Sequence, residues 1–536
     1  MCLNEPGPSE ARASARLLPQ RALPLRSDFD AANGAPNLAL DSQKNKTNCS
    51  ARRAKIRPKL SAPVDGRPVS QILPSLAALR MTRKALSAVT ALVLLAIGQP
   101  FARAYTVEYR DHAGIVARRW LRRPIIVAFS SSLTSPPPNL KSGSDVIGAA
   151  RRALDHWVSV ANIQFLETRS SVQTISAANS GDGVNLITVS TDNAAAFGDS
   201  DVPGRTRVFY DSGGAIVEAD IALNPAQTFS TDGTFGTYDL ESTLTHEVGH
   251  LLGLEHSGII GATMQPRQAK NGVYGLPAIT ERTLSEDDIA GARVLYGSRA
   301  GTGAISGRLI GNNFAGQSQP IFGGHVFAED IATGRVVAGS VTLASGEFRL
   351  GAIAPGQYRL IGQSLDGPVL AAEIASAGGF YSSLAETRPV FRSFIGDGAS
   401  ALGSLSITRE TVASLGFIRL SMPPPTLHPR VIGMRGELST TALPLVPGET
   451  VTVYVGGDGL DQILANGISL SSPYFAINPA SLALEEFDTS YPVISFEITV
   501  APNTPPGEYS IRLQSPGGEL AYLAGALTVE PEIPNF

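Results

Sequence analysis

Between Thr245 and Pro266 the chain reads THEVGHLLGLEHSGIIGATMQP, and this stretch gathers three histidines, two glutamates and a methionine. His246 and His250 are four residues apart, so on a helix they lie about 40° apart around the axis and point the same way. Two imidazoles in that relation suit a zinc ion, which takes neutral ring nitrogens as ligands. Glu247 sits beside the pair but off its line, where it can handle a water rather than the metal. Gly253 allows the helix to stop in a left-handed turn, because it has no Cβ to clash. That turn can bring His256 back as a third ligand. A core helix that merely carries histidines would explain none of these spacings.

The pattern HExxHxxGxxH, here His246 to His256, followed by Met264, resembles the metzincin metalloproteases. Ser257 and the ATMQP segment, Ala262 to Pro266, look most like the matrixin branch. The resemblance implies one catalytic zinc (Zn2+) on His246, His250 and His256, with Met264 as the Met-turn beneath it. A catalytic zinc keeps a position for water and lowers its pKa toward about 7. Glu247 would accept that proton as general base and pass it to the leaving amine of a peptide bond.

The chain also departs from that family. No histidine lies between His156 and His246, so a second, structural zinc is not expected. The segment after Tyr105 has no cysteine, which excludes latency by a thiol switch. Pro266-Arg267-Gln268 stands where animal matrixins carry a Pro-x-Tyr wall, leaving pocket depth and preference open. Calcium (Ca2+) is the second cofactor the resemblance allows. Asp182, Asp199, Asp201 and Asp220 are its candidate ligands, but they form no recognisable loop and read as solvated carboxylates. His112, His156, His325 and His428 read as structural.

Several elements must position this chemistry. Asp239 is an N-cap for the histidine helix, and Leu240, Leu244, Val248 and Leu251 form its buried stripe. Pro124 to Phe129, Val184 to Val189 and Arg207 to Tyr210 read as strands, and Ser144 as the cap of a helix running to about Val158. Ile216 to Leu223 alternates, with Val217, Ala219, Ile221 and Leu223 on one side and Glu218 and Asp220 on the other. By resemblance this strand should be the sheet edge that pairs with substrate, placing Val217, Ala219 and Pro266 at the cleft. Leu284 to Gly297 resembles the closing matrixin helix, with Asp287 and Asp288 either bonding the Met-turn or capping the helix.

The expected fold class is multidomain. An α/β (α+β) metzincin domain with a mixed twisted sheet and three helices, residues 105–300, precedes two all-β sandwiches. Residues 301–422 have short alternating strands parted by Gly-containing turns, and resemble transthyretin-like, carboxypeptidase-regulatory modules. After the Pro423-Pro424-Pro425 linker, residues 423–536 read as an Ig-like sandwich.

Composition bounds the partners. The 536 residues carry a net charge of −4, yet residues 1–80 hold 13 Lys and Arg against 6 Asp and Glu. From Tyr105 onward the net is −14, which argues against general affinity for nucleic acid or anionic membrane. Both cysteines, Cys2 and Cys49, lie in the basic segment, so no disulfide holds the later domains together. Arg83 and Lys84, the apolar run Ala85 to Ile97 and Ala102-Arg103-Ala104 form a secretory signal pattern over 81–104. Residues 1–80 read as a non-native or disordered extension. The expectation is therefore a secreted, monomeric zinc endopeptidase acting on proteins or peptides, with no membrane span. The alternative is a surface- or glycan-binding adhesion protein with a vestigial protease domain. N-terminal sequencing of the exported product should begin at Tyr105; any residue before Met81 would remove the assignment of the leader.

Overall fold

The apolar run Ile125–Ser130 (β1) is buried at every position but Ile126 because it lies inside a sheet. A computed structural model describes residues 105–109, 117–178, 180–297, 300–312, 316–375, 379–396, 404–420 and 423–530. The proposed extension, the leader and His112 lie outside the described residues. β1 pairs in parallel with Phe165–Ser170 (β2) on one side and Leu186–Thr188 (β3) on the other. β3 pairs in parallel with Ala215–Leu223 (β5), and Gly204–Tyr210 (β4) closes that side, antiparallel to β5. The order is β2-β1-β3-β5-β4, with Arg119–Trp120 added in parallel to the start of β5.

Three helices longer than a turn cover this sheet: Val146–Val160 (α1), Leu240–Leu251 (α2) and Glu286–Tyr296 (α3). The α1 cap is Asp145, which accepts from the Gly148 amide at 2.9 Å, rather than Ser144. Its carboxylate also meets Arg152, about two turns along the helix. α1 lays Leu154 and Trp157 against α2, whose Leu240, Leu244, Val248 and Leu251 are all fully buried. α3 starts at Ser285 in a capping box with Asp288, which satisfies two amide donors of the first turn.

Two all-β units follow. Over residues 303–420, a sheet containing Gly303–Asn312 and Val412–Leu420 faces one containing His325–Asp330 and Gly356–Gln363. Leu309, Phe348, Val326 and Leu360 fill the space between them. In residues 428–529, five- and four-stranded sheets enclose Val453, Phe496, Ile511 and Leu527. No helix among the described residues is long and apolar enough to cross a membrane.

The described residues belong to one compact unit, Ala88–Phe536, so the part built from β1–β5 and α1–α3 shares packing with the β units. The loop Ile259–Ala262, between His256 and Met264, wedges into both β units. Ile259 and Ala262 pack with Phe327, Ile361, Tyr522 and Ala524, and the Ile260 amide donates to the Ala524 carbonyl at 2.9 Å. Asp287 ties the same region together. It accepts from Ser257 Oγ at 2.6 Å and from the Gly339 amide at 2.5 Å.

Burial, with the nearby Asp288 carboxyl adding to it, pushes the Asp287 carboxyl up to about 8. The unfolded chain releases that proton near pH 4. The contribution of this group to stability is thus complete below about pH 4 and is lost as pH rises through 8. Asp287→Asn keeps the shape without the charge. Its unfolding free energy, measured against the wild type, should gain with rising pH, by at most about 5 kcal/mol at pH 9. A difference between the two proteins that stays constant from pH 5 to 9 would contradict this origin.

Candidate metal centre

The α2 helix is held at its start by a buried ion pair. Asp239 caps the Ser242 amide at 2.9 Å and takes Arg282 Nε and Nη2 at 2.9 and 2.7 Å. Glu241, in the positive first turn, meets Arg152 and His156. His156 therefore has a structural partner. After Leu251 the chain turns at Gly253, where φ is +92° and an added Cβ would lie 2.5 Å from the Arg118 carbonyl. Only glycine fits there. The turn is backed by residues 106–108, with Glu255 N donating to Thr106 O and Glu108 N to Gly253 O.

This path brings the three imidazoles to one point. His250 Nε2 lies 3.1 Å from His246 Nε2 and 3.2 Å from His256 Nε2. Every Nδ1 faces a backbone carbonyl: Thr263 O at 2.7 Å, Leu254 O at 2.8 Å and Glu373 O at 2.5 Å. A carbonyl only accepts, so each Nδ1 carries the proton and each Nε2 presents a bare lone pair. None of the three can donate to another. Three converging lone pairs are stable only around a cation, and nitrogens about 2.0–2.1 Å from a tetrahedral centre stand about 3.3–3.4 Å apart. The donor set fits zinc. Burial, with mutual proximity adding to it, depresses protonation of His246 to about 3 and of His250 well below the usual range. Burial lowers His256 too, partly opposed by its bond to Glu373.

Glu247 is 5% exposed and projects toward the cleft, where Thr206 Oγ1 donates to its Oε2 at 2.5 Å. Thr206 lies on β4. Gly204, on the same strand, leaves room that Glu247 occupies, since a Cβ there would fall 2.4 Å from Oε1. Burial pushes the Glu247 carboxyl up to about 7, partly opposed by the Thr206 hydrogen bond. Met264 is fully buried under the helix, and a Cβ on Gly249 would lie 2.2 Å from its Sδ. Asp288 holds the turn from below, taking the Thr263 amide at 2.8 Å and the Met264 amide at 3.3 Å. Both roles expected of this aspartate, helix cap and Met-turn anchor, occur at once.

A cleft of about 460 Å³ opens over the histidines, lined by Arg205, Thr206, Val208, Glu247, Pro266 and Gln268 among others. Pro266 is where the sequence placed it, but Val217 and Ala219 are not at the cleft. They lie on β5, which β4 separates from the open side; Val217 is 52% exposed and Ala219 is fully buried. On that side the sheet therefore ends at Gly204–Tyr210 (β4) rather than at Ile216 to Leu223. The polar face of β5 is engaged as well. Asp220 accepts from the amides of Ser176 and Leu186 at 2.7 and 3.0 Å. Glu218 takes those of Asp182 and Gly183, so the pair holds the loop at 176–186 by its backbone. Asp220 is thus buried in this loop rather than solvated. The described residues bring together only the three histidines as a set of three or more metal-ligating groups.

Thr206 and the backbone of Glu373 have no counterpart in the sequence reading. The carbonyl of Glu373 has no side-chain signature. Thr206 lies just outside the strand as first bounded, at Arg207, and its alternation with Gly204 was the only available signal.

Residues 128–297 match the matrixin family model, Peptidase M10. Metalloendoproteinase 1 of Glycine max is 31% identical over 170 residues, covering 30% of this chain and 48% of that protein. The hatching enzyme of Paracentrotus lividus is 30% identical over 192 residues, covering 35% of this chain and 28% of its own. The chain thus spans half or less of the length of these curated relatives. Among solved structures, BcpA, the major pilin subunit of Bacillus cereus, covers 41% of this chain and 66% of its own at 13% identity. Its TM-score of 0.14 is too low to argue a shared fold.

Because the imidazoles are already neutral when buried, protons compete weakly with a metal. Zinc affinity, followed by competition with a chromogenic chelator, should change by less than about tenfold between pH 7.5 and 6. Loading should also raise the unfolding midpoint, by about 2.7 kcal/mol of stability at a hundredfold excess over Kd. A steep loss of affinity across that range would contradict the tautomers assigned from the three carbonyls.

Proposed function

We propose, on the footing that residues 128–297 are a matrixin-like metzincin domain, that this protein is an exported zinc-dependent endopeptidase acting on proteins or peptides. The observation that carries the reading is the convergence of three carbonyl-oriented imidazoles beside a buried glutamate. His246, His250 and His256 would hold the zinc, which when bound supplies a Lewis acid that polarises a carbonyl and acidifies water.

The chain's own residues supply the rest. Glu247 takes a proton from the attacking water and returns it to the leaving amine. A carboxylate held within hydrogen-bond reach of the water can take the proton and later give it back. Thr206 keeps the carboxylate turned toward the cleft by donating to Oε2, and leaves Oε1 for the proton. An extended substrate would pair antiparallel with β4, whose only strand partner among the described residues is β5. Pro266 and Gln268 border the space beyond Glu247 and stand in for the wall that Pro-x-Tyr forms elsewhere.

Export rests on the signal pattern at 81–104, and the net acidic charge from residue 105 onward argues against general affinity for nucleic acid. Action as a monomer is part of the same proposal. A vestigial domain in a surface- or glycan-binding protein would leave Glu247 and its Thr206 partner without a task.

Glu247→Ala should lower cleavage of a peptide library by about 10²–10⁴-fold, while metal analysis still finds one zinc per chain. Substantial remaining peptidase activity in that variant would rule out the assignment of the base.

A further inference from the structure

The third histidine is oriented from outside residues 128–297. Its Nδ1 faces the carbonyl of Glu373 at 2.5 Å and its amide donates to the carbonyl of Ile374 at 3.1 Å. Both residues belong to the first β unit: Glu373 ends the short helical turn Ala371–Glu373 and Ile374 follows it. We propose that this turn is a working part of the metal centre. Arg267 and Glu373 then act as positioning residues that clamp the carbonyl against His256. The proposal rests on the zinc reading above.

The clamp is visible in the contacts. Arg267 Nε donates to Glu373 Oε1 at 2.7 Å, with Arg267 Nη2 on the same oxygen. Glu373 Oε2 accepts from the Leu370 amide at 2.9 Å and closes its own turn. One carboxylate thus joins the segment just after Met264 to the segment that orients His256. Beneath it, Ile374 is fully buried, and Leu365, Val369 and Ala371 share a core with Leu251, Leu254 and Met264. Tyr381 anchors the far end by donating to the Val341 carbonyl at 3.0 Å. Gly379 lines the cleft itself.

The loop between His256 and Met264 is braced in the same way. Gly258 lies against the His325 ring, where an added Cβ would come within 2.8 Å, and Gly261 lies against Thr528. Gln265 Nε2 donates to the Thr440 carbonyl at 3.2 Å. One imidazole and the floor of the site are therefore braced by the β units, while His250 is set by the helix and the turn after it and His246 by the helix and the Thr263 carbonyl.

The test uses the full chain. Glu373→Ala and Arg267→Ala should each weaken zinc binding by about 10–100-fold, the usual effect of losing a partner that orients a ligand. Arg430→Ala, in the exposed pair with Asp458, should leave zinc affinity unchanged. Combining Arg267→Glu with Glu373→Arg should recover affinity lost by either alone. In zinc-free protein, hydrogen exchange at the His256 amide should accelerate in Glu373→Ala, with no change in the histidine helix. Variants that keep the unfolding midpoint, wild-type zinc affinity and wild-type exchange at His256 would overturn the proposal. Failure of the wild type to bind zinc would overturn the zinc reading and this one with it, and is told apart by appearing before any substitution.

Discussion

Three lone pairs forced toward one another set the terms for this molecule. An imidazole has two nitrogens, and tying one to a carbonyl decides what the other presents. Here all three rings are tied in that way, so repulsion among their inner nitrogens has to be sustained by the surrounding structure. The carbonyls come from three places: the turn after the helix, the Met-turn, and a segment 117 residues further along the chain than the ring it holds. Each must be rigid enough not to relax away. The Gly253 turn is backed by residues 106–108, the Met-turn by Asp288, and the remote carbonyl by the buried Ile374.

The sheet serves the same site from its other side. β4 presents Thr206 to Glu247 only because its register against β5 is fixed, with Thr206 opposite Ile221. β5 is in turn gripped on both faces. Ala219, Ile221 and Leu223 enter the core, while Glu218 and Asp220 satisfy loop amides. Carboxylates used in this way replace water around backbone donors that would otherwise be buried without partners.

The parts legible in the sequence are those governed by local geometry. His246, Glu247, His250 and Gly253 are related by helix period and turn chemistry, so their spacing alone placed them. Asp239 and the Leu240, Leu244, Val248, Leu251 stripe followed from the same rules. The edge strand was misjudged because alternation cannot distinguish a carboxylate facing solvent from one facing a backbone amide. Glu218 and Asp220 looked solvated and are nearly fully buried. Asp145, not Ser144, is the cap because it directly precedes the helix and its carboxylate reaches the Gly148 amide. The carbonyl on His256 was invisible for a deeper reason: every residue has one, and only tertiary packing selects which is used.

The remote carbonyl also orders events in time. A chain is made from its N-terminus at about 5–20 residues per second, so 117 residues occupy about 6–23 s. During that interval all three histidines exist, yet the group that fixes the third has not been synthesised. The helix can form and the first two rings can align, but the centre is completed only when the β unit has folded behind it. The arrangement leaves the histidine cluster without its third anchor in the nascent chain until 373 of the 536 residues have been made.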